Sequence, residues 1–231
     1  MDKESLEKAW REWASFAGYS NEFPEGRVSL THGQIAQAAA VEKYCGIPDT
    51  IIEIGPNNGM LAKTLLDKFG DKISRYVLVD GDEPLEWARK TLSEYNQIEY
   101  VTPPEIPDIK GTFGLFITCH CLPETPVVYQ KFIYDTFFSR CNKLFIWQTM
   151  SGTLGVRVAQ DIEKVNLKKR KALGLIRFID VNLLTEYINS NFPGFKLISH
   201  DEEITLPNLN DDSPIIIANK KISKKTYWKF I

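Results

Sequence analysis

Along this chain apolar residues recur at two different spacings, and each change of spacing marks a new element. Residues 5–17 set Leu6, Trp10, Trp13 and Ala17 four, three and four positions apart. That is the stripe of an amphipathic helix, with Ser5 able to cap its start. Residues 19–26 are polar and rich in breakers. A second helix is predicted from Thr31, where Gln34 completes a capping box. It runs through Ile35, Ala38, Ala39 and Glu42 towards Tyr44, and Gly46 and Pro48 end it. At residue 50 the pattern turns short and β-branched: Ile51, Ile52 and Ile54 stop at Gly55. A strand covered on both faces reads this way.

Strand and helix then alternate. Leu61, Ala62, Leu65, Leu66 and Phe69 form one inward helical stripe. Residues 75–80 read as a second buried strand closed by Asp80. A helix follows with Pro84 in its first turn and Leu85, Ala88, Leu92 and Tyr95 inward. A third strand, 98–102, leads into a stiff loop marked by Pro103, Pro104 and Pro107. The fourth, 113–119, is continuously apolar; a helix from Pro126 turns Tyr129, Phe132, Ile133 and Phe137 inward, and a fifth strand covers 144–148.

The alternation breaks over about 153–174, a polar helical insertion carrying Lys164, Lys168, Lys169, Arg170 and Lys171. Asp180 caps a further helix with Leu183, Leu184, Tyr187 and Ile188. No helix fits between the last strands, 195–200 and 215–219, so they are expected to pair antiparallel. The division this predicts is a helical cap or lid over 1–48 and a sheet domain over 49–231. The class is α/β, with a doubly wound sheet.

Composition narrows the setting. Of 231 residues, 43% are hydrophobic and 25% charged, ordinary for a globular chain with a sizeable core. The formal charge of −2 gives no general drive towards nucleic acid or a membrane surface. The N-terminus lacks the apolar core of a signal peptide, and no apolar run is long enough to span a bilayer. Cys45, Cys119, Cys121 and Cys141 are too few for a disulfide scaffold, so a cytoplasmic protein with reduced thiols is expected.

The candidate chemistry starts at residues 50–59. Strand, glycine turn and helix in quick succession gather backbone N–H groups at a helix N-terminus, a nucleotide-binding opening. A dinucleotide fingerprint needs Gly-x-Gly-x-x-Gly, whereas here Asn57 stands between Gly55 and Gly59, and Met60 stands where a third glycine would fall. What is left is Glu53-x-Gly55-x-x-x-Gly59. This resembles the first motif of class I S-adenosylmethionine-dependent methyltransferases, with Asn57 in place of the middle glycine. Asn tolerates the backbone angles such a turn demands. The whole stretch from about 49 to 220 is similar to the seven-stranded methyltransferase fold, whose last strand inserts antiparallel.

The resemblance implies S-adenosyl-L-methionine as cofactor, held by Glu53, Gly55, Asn57, Gly59, Asp80, Gly81, Thr118 and Cys119. Asp80 at the end of strand two would accept the ribose hydroxyls, although Asp before a helix is also a common cap. Residues 118–124, Thr-Cys-His-Cys-Leu-Pro-Glu, fall where such enzymes face the methyl donor. Methyl transfer to a hydroxyl needs alignment and a base. His120 is the natural base, since imidazole titrates near neutral pH; Glu124 would orient it or bind an acceptor hydroxyl. The alternative is a loop hydrogen bond. A zinc site at Cys119-His120-Cys121 is disfavoured by the tight spacing and the missing second ligand pair, so no metal is expected. Trp13 and His32 from the lid, and Arg170 from the insertion, are candidates to line the acceptor site.

Ile51-Ile-Glu-Ile-Gly, Leu78-Val-Asp80, Leu115-Phe-Ile-Thr-Cys-His-Cys-Leu-Pro-Glu124 before Tyr129, and Asn21-Glu22-Phe23 with His32-Gly33 resemble a narrower group. These are the sugar O-methyltransferases of bacterial polysaccharide clusters. That likeness implies a sugar or nucleotide-sugar acceptor, and the near-neutral charge gives no expectation of a nucleic-acid partner. The rivals are O- or N-methylation of another small metabolite, and a non-catalytic protein that keeps the fold for binding.

Overall fold

A computed structural model describes residues 32–119, 121, 122, 125, 127–147, 150, 151, 179–192, 194–200 and 215–220. The predicted N-terminal helix with Trp13, the Thr31 cap, His120, Glu124 and the basic insertion with Arg170 lie outside the described residues.

The elements run in chain order as α1 (His32–Ala40), β1 (Thr50–Ile54), α2 (Met60–Phe69), β2 (Arg75–Val79), α3 (Asp82–Thr91), β3 (Ile98–Val101), β4 (Phe113–Cys119), α4 (Val127–Phe137) and β5 (Cys141–Trp147). A short pair, β6 (Met150–Ser151) and β7 (Ile179–Asp180), precedes α5 (Val181–Asn191), β8 (Phe195–His200) and β9 (Ile215–Lys220). The large sheet has the order β3-β2-β1-β4-β5-β9-β8. β1 through β5 pair parallel, whereas β9 pairs antiparallel with both β5 and β8. The order reverses between β1 and β4, and in open α/β sheets the ligand crevice opens at the carboxyl ends of strands at such a reversal.

Burial follows from the sequence pattern. Ile51, Ile52 and Ile54 are at most 1% exposed because β1 is central and helices cover both of its faces. On one face Ile52, Ile54, Val77, Val79 and Phe116 pack with Ile133 and Phe137 of α4 and Leu184 and Ile188 of α5. On the other, Ile51, Tyr76, Leu78 and Ile117 pack with Val41, Leu61, Leu65, Leu85 and Ala88. Each fully buried Leu or Ile contributes about 1.5–3 kcal/mol from this burial.

Several local expectations need correction. The proline-marked stretch is not an open loop but a 3-10 helix, Pro103–Asp108. The Thr102 N–H and hydroxyl both donate to Glu105 Oε2 at 2.7 Å, closing a capping box that the three prolines obscure in the sequence. The helix expected to run towards Tyr44 and end at Gly46 does so, but from Val41 to Cys45 it is a π turn, which buries Val41 and Cys45. Strand five begins at Cys141, earlier than its hydrophobic run, because Cys141 pairs in register with Phe113. Cys45 and Cys141 are buried, and Cys119 and Cys121 half-buried. No helix among the described residues is long and apolar enough to cross a membrane.

Candidate functional site

β1 ends at Ile54, and the chain must turn at once to start α2. Gly55, Asn57 and Gly59 all take positive φ, at 75°, 53° and 75°. Glycine adopts that region without strain, and Asn is among the few other residues that visit it. The Gly55 N–H donates to Val79 O at 2.9 Å, and the Gly59 N–H to Pro56 O at 2.9 Å. Gly59 is the N-cap of α2, and Asn58 Oδ1, one residue before it, accepts from the Met60 N–H at 3.3 Å. The same oxygen accepts from Gln34 Nε2 at 3.4 Å, which ties α1 to the turn. No local sequence signal announces that long-range role for Gln34.

Gly55 is required by space as well as by backbone angle, and Gly59 is crowded besides. A Cβ on Gly55 would lie 2.2 Å from the Cys121 Cβ and 2.3 Å from its Sγ. A Cβ on Gly59 would meet Leu92 Cδ1 at 2.7 Å. The segment after β4 therefore closes directly onto the glycine turn, with Cys121 at the point of contact. Just beyond it the Thr125 N–H and hydroxyl both donate to Leu122 O, at 3.0 and 2.7 Å, and Gln130 Nε2 donates to Thr125 O at 3.1 Å. These bonds hold the segment in a short staple before α4.

Asp80 joins the turn to β2. Its Oδ2 accepts from the Asn57 N–H at 3.1 Å and its Oδ1 from the Gly81 N–H at 2.8 Å. Asn57 is exposed and Asp80 half-buried, so the junction faces outward. Gly55, Asn57, Gly59, Asp80 and Gly81, read from separate stretches, are thus brought together.

Thr118 and Cys119 sit at the end of β4 beside the turn, with Thr118 in register with Ile54. Thr118 is fully buried, and Cys119 packs half-buried against the opposite face. Glu53 is on neither open edge. Its carboxyl is 2% exposed and accepts from the Tyr76 hydroxyl at 2.7 Å beneath the turn. Burial pushes Glu53 up to about 7; the Tyr76 hydrogen bond opposes the rise and the like charge of Asp80 adds to it. Tyr129 is buried on the other face. Its hydroxyl is held well above its ordinary range by burial, then by the charges of Cys121 and Asp80. Tyr76, Cys121 and Tyr129 are the members of the site that sequence periodicity had placed only in strand, loop or core. His32 opens α1. Among the described residues, no group of three or more His, Cys, Asp or Glu side chains could hold a metal ion.

By sequence, no protein-family model and no curated protein matches this chain. Solved structures do match. The mitomycin 7-O-methyltransferase MmcR superposes with a TM-score of 0.62 at 15% identity, covering 92% of this chain and 67% of that one. Magnesium protoporphyrin IX methyltransferase (ChlM) from Synechocystis PCC 6803, with bound SAH, gives 0.56 at 16% identity over 94% of this chain and 96% of that one. The fold is the methyltransferase fold. The pyocyanin biosynthetic protein PhzM gives 0.58 at 13% identity over 82% of this chain, which spans just over half, 55%, of its length. In this fold the glycine turn, Asp80 and the end of β4 line one edge of the sheet, at the reversal of strand order.

Proposed function

We propose that this protein is an S-adenosylmethionine-dependent methyltransferase that methylates a hydroxyl of a small polar acceptor, a sugar or nucleotide sugar. The observation that carries the reading is the Asp80 junction. One carboxylate at the end of β2 binds the backbone of the glycine turn, and both stand beside the reversal of strand order. Such a carboxylate is the group that accepts paired ribose hydroxyls. The left-handed turn runs from half-buried Gly55 through exposed Asn57 to Gly59 with no bulky side chain at either glycine, and Gly81 starts the next helix. These features fit an adenosine with a short polar tail. When bound, the cofactor supplies an electrophilic methyl group on a sulfonium.

The residues of this chain then have three tasks. Asp80 holds the ribose, with Gly81 at its shoulder. The turn from Gly55 to Gly59 takes the polar tail, with Glu53 beneath it and Thr118 and Cys119 beside it. His120 takes the proton of the acceptor hydroxyl as displacement proceeds, because a sugar hydroxyl is too weak an acid to ionise beforehand. Glu124 orients that imidazole or binds a neighbouring hydroxyl. Support for the placement of His120 comes from its flanking residues: Cys119 ends β4 and Cys121 touches the glycine turn. Residues 1–48 serve as a lid that brings Trp13 and His32 to the acceptor, and Arg170 offers a guanidinium to an acceptor phosphate. The sugar rests on the likeness of the strand blocks to the polysaccharide-cluster enzymes.

Thermal unfolding with and without S-adenosylhomocysteine tests the cofactor, because a ligand that binds only the folded state raises the transition temperature. Release of S-adenosylhomocysteine from a panel of nucleotide sugars and simple glycosides tests the acceptor. No thermal shift at saturating ligand would sink the enzyme reading. A shift with turnover only on non-sugar metabolites would overturn the sugar alone.

A further inference from the structure

We propose that Tyr76 is a positioning residue for the cofactor site, acting through Glu53: its hydroxyl fixes the Glu53 carboxyl beneath the glycine turn and so tunes how that carboxyl's charge favours a cation at the turn. The inference rests on the proposed S-adenosylmethionine site and goes beyond it by assigning β2 a second task, separate from Asp80.

The geometry is a buried pair with one bond. Tyr76 is 0% exposed and Glu53 2%, and the hydroxyl donates to Glu53 Oε2 at 2.7 Å. Both side chains lie on the face of the sheet covered by α1, α2 and α3. The helices give that face apolar side chains, Val41, Leu61, Leu65 and Leu85 among them. The titratable groups that act on the pair come from the neighbouring strands. Asp80, past the end of β2, opposes ionisation of Glu53, and Cys119, at the end of β4, raises Tyr76. Burial pushes the Glu53 carboxyl up to about 7. The Tyr76 hydrogen bond favours its charged form.

The carboxyl stands only two residues before Gly55, in a setting of low dielectric where a charge is felt over several ångströms. Coupling between sites is reciprocal. A cation arriving near the turn favours the Glu53 carboxylate, so the carboxylate favours the cation. S-adenosylmethionine and S-adenosylhomocysteine share the ammonium of the polar tail that the turn takes, and only S-adenosylmethionine adds a sulfonium, so its preference is the stronger. Tyr76 tunes the exchange because its hydrogen bond stabilises the carboxylate more than the acid.

The experiment is calorimetric binding of S-adenosylmethionine and, separately, S-adenosylhomocysteine to the full chain from pH 5.5 to 9. It compares wild type, Tyr76→Phe and Glu53→Gln. Affinity for S-adenosylmethionine should rise about tenfold through neutrality in the wild type, within the range usual for coupled sites. The rise for S-adenosylhomocysteine should be smaller. In Tyr76→Phe the midpoint should move up by about one pH unit, the worth of a hydrogen bond to a charged group. Glu53→Gln should remove the rise and leave only the ligand's own titration. A Tyr76→Phe midpoint equal to the wild type's, or a rise that survives Glu53→Gln, overturns the inference. Should Tyr76→Phe fail to fold, the wild type minus Glu53→Gln infrared difference decides. A Glu53 carbonyl band that disappears through neutral pH, and at lower pH when S-adenosylmethionine is present, supports the coupling; a band indifferent to the ligand ends it. Binding without pH dependence strikes this inference alone, whereas no binding of either ligand at any pH strikes the proposed function and this inference with it.

Discussion

The Asn57 N–H donates to Asp80 Oδ2 at 3.1 Å, and this bond joins the glycine turn after β1 to the end of β2. The same carboxylate receives the Gly81 N–H through its other oxygen. One side chain therefore shapes the turn and the start of the next helix, at the edge where the sheet changes direction.

Asp80→Ala should weaken S-adenosylhomocysteine binding by about 1–3 kcal/mol, the cost of leaving charge-assisted hydrogen bonds unmade. Isothermal calorimetry measures it. Unchanged affinity would remove Asp80 from the cofactor site and leave it as the anchor of the turn.

Gly55→Ala should destabilise the fold by at least about 2 kcal/mol. The left-handed backbone alone costs roughly 1–2 kcal/mol for a residue with a Cβ, and the new methyl meets Cys121 besides. That overlap is with the Cβ at 2.2 Å as well as the Sγ at 2.3 Å. Cys121→Ala should therefore fail to rescue Gly55→Ala, while Cys121→Gly should recover part of the loss. Urea unfolding of the two double mutants tells these outcomes apart.

The raised Glu53 carboxyl makes a signed prediction for stability. Its folded value is about 7, against an ordinary value of 4.5. Its contribution is thus fully present below about pH 4.5 and lost as pH rises through about 7, where the buried group must ionise. Glu53→Gln keeps an acceptor for Tyr76 and removes that ionisation. Relative to wild type, the variant should gain stability between pH 5 and pH 8, by up to about 3 kcal/mol from the shift at 1.36 kcal/mol per unit. Parallel denaturant titrations at the two pH values check it; a constant difference would mean that Glu53 does not titrate in this range.

His120→Gln should lower kcat by about 10²–10⁴-fold if His120 is the base, with cofactor affinity nearly unchanged. The pH–rate profile should lose its lower limb near the imidazole pKa. Wild-type kcat with the same pH dependence would make His120 a loop residue and turn attention to His32.

Removal of residues 1–30 should abolish acceptor turnover while most of the affinity for S-adenosylhomocysteine survives, as expected of a lid. Full turnover by the truncated protein would show that the acceptor site is complete without that segment.

Much of the site was legible one residue at a time. Gly55, Asn57 and Gly59 stand where a strand must become a helix within a few residues, and the backbone angles of such a turn depend on local sterics. The alternation of buried strands and amphipathic helices from β1 to β5 was legible for a similar reason. A strand covered on both faces and a helix covered on one leave different periods in the chain. Asp80 could be read as an acid closing an apolar strand, before its partners were known.

Partnership was not legible. Tyr76 looks like any aromatic residue in a buried strand, and its bond to Glu53 spans 23 residues of sequence. Cys121 looks like a loop thiol until β4 settles beside β1 and brings it against Gly55. The 3-10 turn after β3 and the π turn after α1 also escaped the pattern, because each is decided by capping or packing that competes with local preference. The sequence by itself determined where the strands and helices from β1 to β5 lie, since each of these segments carries its own period and breakers. Only the tertiary structure decided which of them touch. Strand order and register bring distant residues to one place, and in a parallel sheet both depend on crossovers that leave no trace in the residues they join.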